Sequence, residues 1–162
     1  MKQFEPAVLA LAQALRGAGL KLATAESCTG GLIAAACTAV AGSSDWFERG
    51  FVSYSNAAKT ELLGVDAALI ATQGAVSLDA AQAMAEGALA HSHADLAVAV
   101  TGIAGPSGAT PGKPVGTVWL AVAQRGGVTH TELLQLNGDR ASIREQTVQY
   151  ALQRLIAALV QH

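Results

Sequence analysis

The stretch ADLAVAVTG, residues 94–102, places five apolar residues, Leu96 to Val100, in an unbroken row between Asp95 and Thr101. The run is short, rich in valine and closed by a glycine, which marks a strand rather than a helix. A strand with no polar side is covered on both faces, as in sheets flanked by helices. One such strand already predicts three layers, with helices above and below a sheet.

Working outward, the preceding residues Asp79 to Ala90 (DAAQAMAEGALA) predict a helix with Ser77 or Asp79 as its cap. The following stretch, IAGPSGATPGKPVG at 103–116, is a loop punctuated by glycine and proline. VGTVWLAVAQ (115–124) and VTHTELLQL (128–136) read as strands joined across RGG, hence an antiparallel hairpin. NGDR (137–140) then opens a last helix from about Ala141 to Val160.

Toward the N-terminus, Pro6 to Leu15 predicts a helix ended by Gly17 and Gly19, followed by a strand over Leu20–Ala25. Leu32–Val40 is a helix of small apolar residues, and RGFVSYSN (49–56) a strand after which Asn56 caps a helix carrying Lys59. The expectation is one α/β domain over residues 1–162, a three-layer α/β/α sandwich with a mixed, mostly parallel sheet and one antiparallel hairpin. Repeats and low-complexity tracts are missing from the sequence.

Composition narrows the function classes. With 51% hydrophobic and 14% charged residues, intrinsic disorder is excluded, and 4% aromatics favours helices packed closely on a sheet. A formal net charge of −2 offers no basic face to a nucleic acid and no polybasic run to a membrane. The segment MKQFEPAVLALAQAL lacks a cleavable signal pattern and is too short to span a bilayer. Two cysteines, Cys28 and Cys37, do not make a disulfide framework, so a cytoplasmic location is expected. His91 and His93 lack the cysteines or carboxylates that would complete a metal set, so no metal or other cofactor is expected.

Three stretches at predicted strand ends carry candidate chemistry, which is where α/β sheets collect ligands. In TAESCTGG (24–31), Gly30 and Gly31 let backbone approach a ligand, and Thr29 with the helix N-terminus can face an anion. Ser27 or Thr29 is equally readable as a plain helix cap. In SYSNAAK (53–59), Lys59 falls in the first helical turn, where the dipole opposes its charge and lowers its pKa. A neutral lysine can activate a serine, and no histidine is placed to do so; a solvated lysine is the ordinary alternative. Tyr54, between Ser53 and Ser55 on the strand, turns to the opposite side and suits ring stacking or packing.

In VTGIAGPSG (100–108), Thr101 and Gly102 precede turns whose amides can form an oxyanion hole or a phosphate nest, although neither P-loop nor dinucleotide spacing is present. Arg140 and Arg144 share a helix face that suits a phosphate or simply solvent. Cys28, beside Ser27, is the second candidate nucleophile.

Taken together, TAESCTGGLIAA, AGSSDWFERGFVSYSNAAKTELLGV, GAVS, VAVTGIAGPSGATPGKPVGTVWLAVA and GDR resemble the CinA C-terminal domain family over residues 4–158. Its standalone members are nicotinamide-nucleotide amidohydrolases. The resemblance implies hydrolysis of the carboxamide of nicotinamide mononucleotide to nicotinate mononucleotide and ammonia, by a serine–lysine dyad without a metal. It puts the nucleophile on Ser27 and the base on Lys59. Some relatives add an N-terminal domain resembling molybdopterin-binding proteins; its absence from this sequence points to the dedicated deamidase. The substrate-binding residues expected here, Tyr54, Thr29, Gly30, Gly31, Thr101, Gly102 and Arg140, are read from position, not from assigned family roles. A non-catalytic nucleotide-binding module of the same fold is the alternative. Alanine-rich apolar helices also suggest a homodimer.

Overall fold

The computed structural model describes residues 1–160, so the last two positions of the expected 1–162 span lie outside the described residues. Six helices and five strands follow in order: α1 (Glu5–Ala18), β1 (Leu22–Glu26), α2 (Leu32–Thr38), β2 (Phe47–Val52), α3 (Asn56–Leu63), α4 (Ala67–Gln73), α5 (Leu78–Ala90), β3 (Leu96–Gly102), β4 (Thr117–Gln124), β5 (His130–Gln135) and α6 (Arg140–Val160). The strands form one sheet in the order β2-β1-β3-β4-β5. β1 pairs in parallel with β2 and β3, whereas β4 is antiparallel to both of its neighbours. Four strands therefore run one way and β4 runs against them, a mixed sheet with the expected β4–β5 hairpin.

The two faces of this sheet differ in side-chain size. Leu22, Leu96, Val98, Val100, Val118, Leu120 and Val122 join the cluster formed with α1, α2 and α6. Ala23, Ala25, Ala97, Ala99, Ala121 and Ala123 join the other cluster, with α5 and Leu63 of α3. Period-2 alternation in β1, β3 and β4 thus separates a large-residue face from an alanine face. The alanines bring α5 close to the strands. Gly87 of α5 carries the same logic further, since a Cβ there would collide with the carbonyl of Leu63.

Several boundaries depart from the sequence reading. α1 runs through Gly17 and stops at Gly19, which takes the left-handed φ of +69° that ends helices cheaply. β2 covers 47–52 rather than 49–56, because Ser55 is already the cap of α3: its Oγ accepts from the amide of Ala58 at 3.0 Å. Asn56 is the first helical residue, not the cap. With Ser53 to Ser55 outside the strand the predicted alternation fails there: Ser53 is buried, and both Tyr54 and Ser55 are exposed. The helix α4 was not predicted at all. Asp66 caps it, accepting from Ala68, and Gly74 follows its last residue. Among the described residues no helix is long and apolar enough to cross a membrane.

Candidate active site

Ser27 directly follows β1 at the carboxyl edge of the sheet. Its amide donates to the carbonyl of Val100, and the amide of Ser53 donates to the carbonyl of Glu26 at 2.9 Å. The residue is thus anchored by neighbours on both sides, and the backbone then turns sharply. Gly30 donates to the Ser27 carbonyl at 3.0 Å, and Gly30 and Gly31 take φ values of +57° and +102°. Only glycine adopts that pair without strain.

Below the turn sits the Glu26 carboxylate, 1% exposed. One oxygen accepts from the Thr29 hydroxyl at 2.6 Å and the Ile33 amide at 2.8 Å, and the other from the Ala34 amide at 3.0 Å. The opening amides of α2 are therefore occupied by a carboxylate of the chain itself. On the outer side Arg144 of α6 donates to the carbonyls of Cys28 at 3.2 Å and Thr29 at 3.1 Å.

Lys59 reaches the same point from α3. Long helical side chains lean toward the N-terminus, which here brings the amine under the start of the helix. Nζ lies 3.1 Å from Ser27 Oγ and donates to the carbonyl of Tyr54 at 3.1 Å. The residue is 1% exposed and, among the described residues, forms no salt bridge. Burial without a counter-ion holds its pKa below the ordinary lysine value, because the charged form is the one that loses hydration. The neighbouring thiol moves the opposite way. Burial pushes Cys28 up to about 12, so at neutral pH it is a thiol and a poor nucleophile.

Ser27, Lys59, Tyr54, Thr101, Gly102 and Arg140 line one cleft of about 310 Å³, of a size for a small ligand. Thr29, Gly30 and Gly31 are not part of its lining. Thr101 is buried and donates to the carbonyl of Ala75 at 2.8 Å, which ties the turn before α5 against the cleft. Arg140, at the start of α6, donates to the carbonyl of Gly105 at 2.9 Å and to the Tyr54 hydroxyl at 3.2 Å.

Asn56, read from the sequence only as a helix cap, and Ala75 and Val76, given no role there, also line the cleft, as do Ser107 and Gly108 of the loop read as an anion cradle. The sequence reading passed over Glu26, whose partners lie three, seven and eight positions away and leave no capping pattern. Among the described residues the amides of Ala104, Gly105, Ser107 and Gly108 have no backbone acceptor. These residues line the same cleft as Arg140, and free backbone amides beside a guanidinium are groups suited to an anion. No group of three or more histidine, cysteine, aspartate or glutamate residues is arranged to hold a metal ion among the described residues.

A buried amine beside a hydroxyl, in a cleft with unpaired amides, is an arrangement suited to acyl transfer through serine. The model of the CinA C-terminal domain matches residues 5–159. The chain belongs to that family. The nicotinamide-nucleotide amidohydrolase PncC of Escherichia coli K12 is 49% identical over 150 residues, covering 93% of this chain and 91% of that protein. A CinA-like protein of Akkermansia muciniphila is 58% identical over 139 residues, but the chain spans only 34% of its length. Among solved structures, competence/damage inducible protein CihA from Agrobacterium tumefaciens superposes with a TM-score of 0.93 at 48% identity, over 95% of this chain and 94% of that one. The geometry in this member of the CinA C-terminal domain family is that of a serine hydroxyl held beside a buried amine.

Proposed function

We propose that the protein hydrolyses the carboxamide of nicotinamide mononucleotide, with Ser27 as nucleophile and Lys59 as its base. The observation that carries this reading is the 3.1 Å approach of a buried amine, without an ion pair among the described residues, to a serine hydroxyl. The similarity to the Escherichia coli amidohydrolase over nearly the full length of both chains supports the choice of substrate.

The chemistry follows from the charges. Neutral Lys59 uses one N–H on the Tyr54 carbonyl, which leaves its lone pair for the Ser27 proton. As that proton moves to Nζ, Oγ bonds to the carboxamide carbon, and the carbonyl electrons collect on oxygen opposite backbone amides. The lysinium then returns its proton to the departing nitrogen, and the C–N bond breaks to give ammonia and an acyl-enzyme. A water molecule, deprotonated by the same amine, cleaves the ester, releasing nicotinate mononucleotide and regenerating Ser27. A neutral lysine serves the substrate in a second way, since a fixed cation beside the pyridinium ring would repel it. In the same cleft, Arg140 and the amides of Ala104, Gly105, Ser107 and Gly108 suit the nucleotide phosphate.

The test is ammonia release from nicotinamide mononucleotide by the purified protein. Turnover that disappears in Ser27→Ala, with the melting transition retained, supports the reading. Binding that raises Tm without any turnover would replace it with the nucleotide-binding module.

A further inference from the structure

Arg140 and Arg144 are one helical turn apart, yet only Arg140 lines the cleft. Arg144 is half-buried and spends its guanidinium on two carbonyls, those of Cys28 and Thr29. They belong to the Cys28–Thr29 and Thr29–Gly30 peptides, the second and third after Ser27. A trans peptide points its N–H opposite to its carbonyl, so a group that fixes these carbonyls also fixes the amides behind them. The Ser27 carbonyl is held by Gly30, which in the same way orients the amide of Cys28. Among the described residues the amides of Cys28 and Thr29 have no backbone acceptor, and Cys28 lines the cleft. Glu26 holds the inner side of the turn through Thr29, Ile33 and Ala34. A carboxylate within, bonded to Thr29, Ile33 and Ala34, and a guanidinium without, bonded to Cys28 and Thr29, thus hold the turn that follows the nucleophile.

We propose that Arg144 is a positioning residue, which holds the turn after Ser27 so that the amide of Cys28, the residue of that pair lining the cleft, faces the oxyanion formed on the acyl carbon. The proposal rests on Ser27 being the nucleophile. It separates Arg144 from the phosphate-binding role that its spacing from Arg140 suggests. A phosphate ligand contributes to substrate affinity, whereas a positioning residue acts where charge develops in the transition state.

Steady-state kinetics on nicotinamide mononucleotide distinguish the two. Arg144→Met lowers kcat by about tenfold to a hundredfold, the loss expected for a slightly displaced oxyanion donor, with KM within about twofold. Arg144→Lys, which reaches one carbonyl but cannot fork to both, recovers part of kcat. An unchanged kcat, or a KM raised tenfold or more with kcat kept, overturns the proposal. Hydrogen–deuterium exchange over residues 30–35 reads the clamp without any substrate. Faster local exchange in Arg144→Met at equal global stability supports it, and unaltered exchange refutes it. If the wild type releases no ammonia, the substrate assignment fails while the exchange experiment still decides the clamp. If Arg144→Met does not fold, Arg144→Lys carries both measurements.

Discussion

Two glycine-rich turns leave the carboxyl edge of the sheet, and they differ in what their amides do. The turn after β1, residues 27–31, is held by the chain itself. Gly30 bonds back to Ser27, Glu26 occupies the first amides of α2, and Arg144 takes two carbonyls. In the loop after β3, four amides at 104–108 have no backbone acceptor among the described residues, and Arg140 lies beside them. The first turn is filled except for the amides of Cys28 and Thr29, and it suits a reacting atom that must not move. The second is open and suits a ligand that must come and go. Similar composition conceals opposite roles, because what matters is whether the chain already clamps the turn.

The contrast can be tested at sites where it predicts separate readouts. The largest effect falls on the filled turn. Ser27→Ala and Lys59→Met each lower kcat/KM by about a thousandfold or more, as loss of either half of a nucleophile–base pair does. The second variant has a further signature. Because burial depresses the Lys59 pKa, the unfolded chain binds that proton more readily than the native one between the two pKa values. In that window stability rises with pH, and at neutral pH the amine costs stability. Lys59→Met therefore inactivates the enzyme while leaving Tm equal or higher, and a lower Tm would contradict the burial argument.

Next comes the open loop. Arg140→Met raises KM for nicotinamide mononucleotide by about tenfold to a hundredfold, the worth of a charged hydrogen bond. It barely affects the riboside, which has no phosphate. Equal losses on both substrates would remove Arg140 from phosphate binding. In the filled turn, Glu26→Gln replaces an acceptor with a donor facing the amides of α2 and costs about 1–3 kcal/mol of stability. Ser107→Ala in the open loop leaves Tm within error. Comparable drops in the two melts would erase the distinction between the turns. The smallest change is Cys28→Ala, which keeps activity within a few-fold because a thiol pushed up to about 12 does not attack at neutral pH. Loss of activity there would reinstate the thiol.

How far the sequence anticipated this depends on the range of each interaction. The apolar run of β3 was legible because burial on both faces removes polar residues from consecutive positions. Ser27 and Lys59 lay in stretches at predicted strand ends, which pointed to one site, and the family resemblance paired them, but their distance was not legible because it depends on how α3 packs against the end of β1. Glu26 was opaque, since a carboxylate that caps a helix seven residues ahead follows no local spacing. The two arginines show the same limit. Their spacing of four was visible, but that α6 begins at Arg140, leaving Arg144 one turn further along against residues 28 and 29, is a product of tertiary packing. α4 was overlooked because seven residues, AALIATQ, give too little periodicity, although Asp66 and Gly74 bracket them. Nor can a sequence report which glycine amides have been used up, so both turns read alike as anion cradles.

The central claim is that the Lys59 amine is uncharged when Ser27 needs it. Titrating the protein with isotopically labelled lysine, and following the Nζ-linked signal assigned by its absence in Lys59→Met, measures this directly. The account predicts a midpoint below the ordinary lysine value that coincides with the acid limb of kcat/KM. A midpoint at or above the value of an exposed lysine would contradict it.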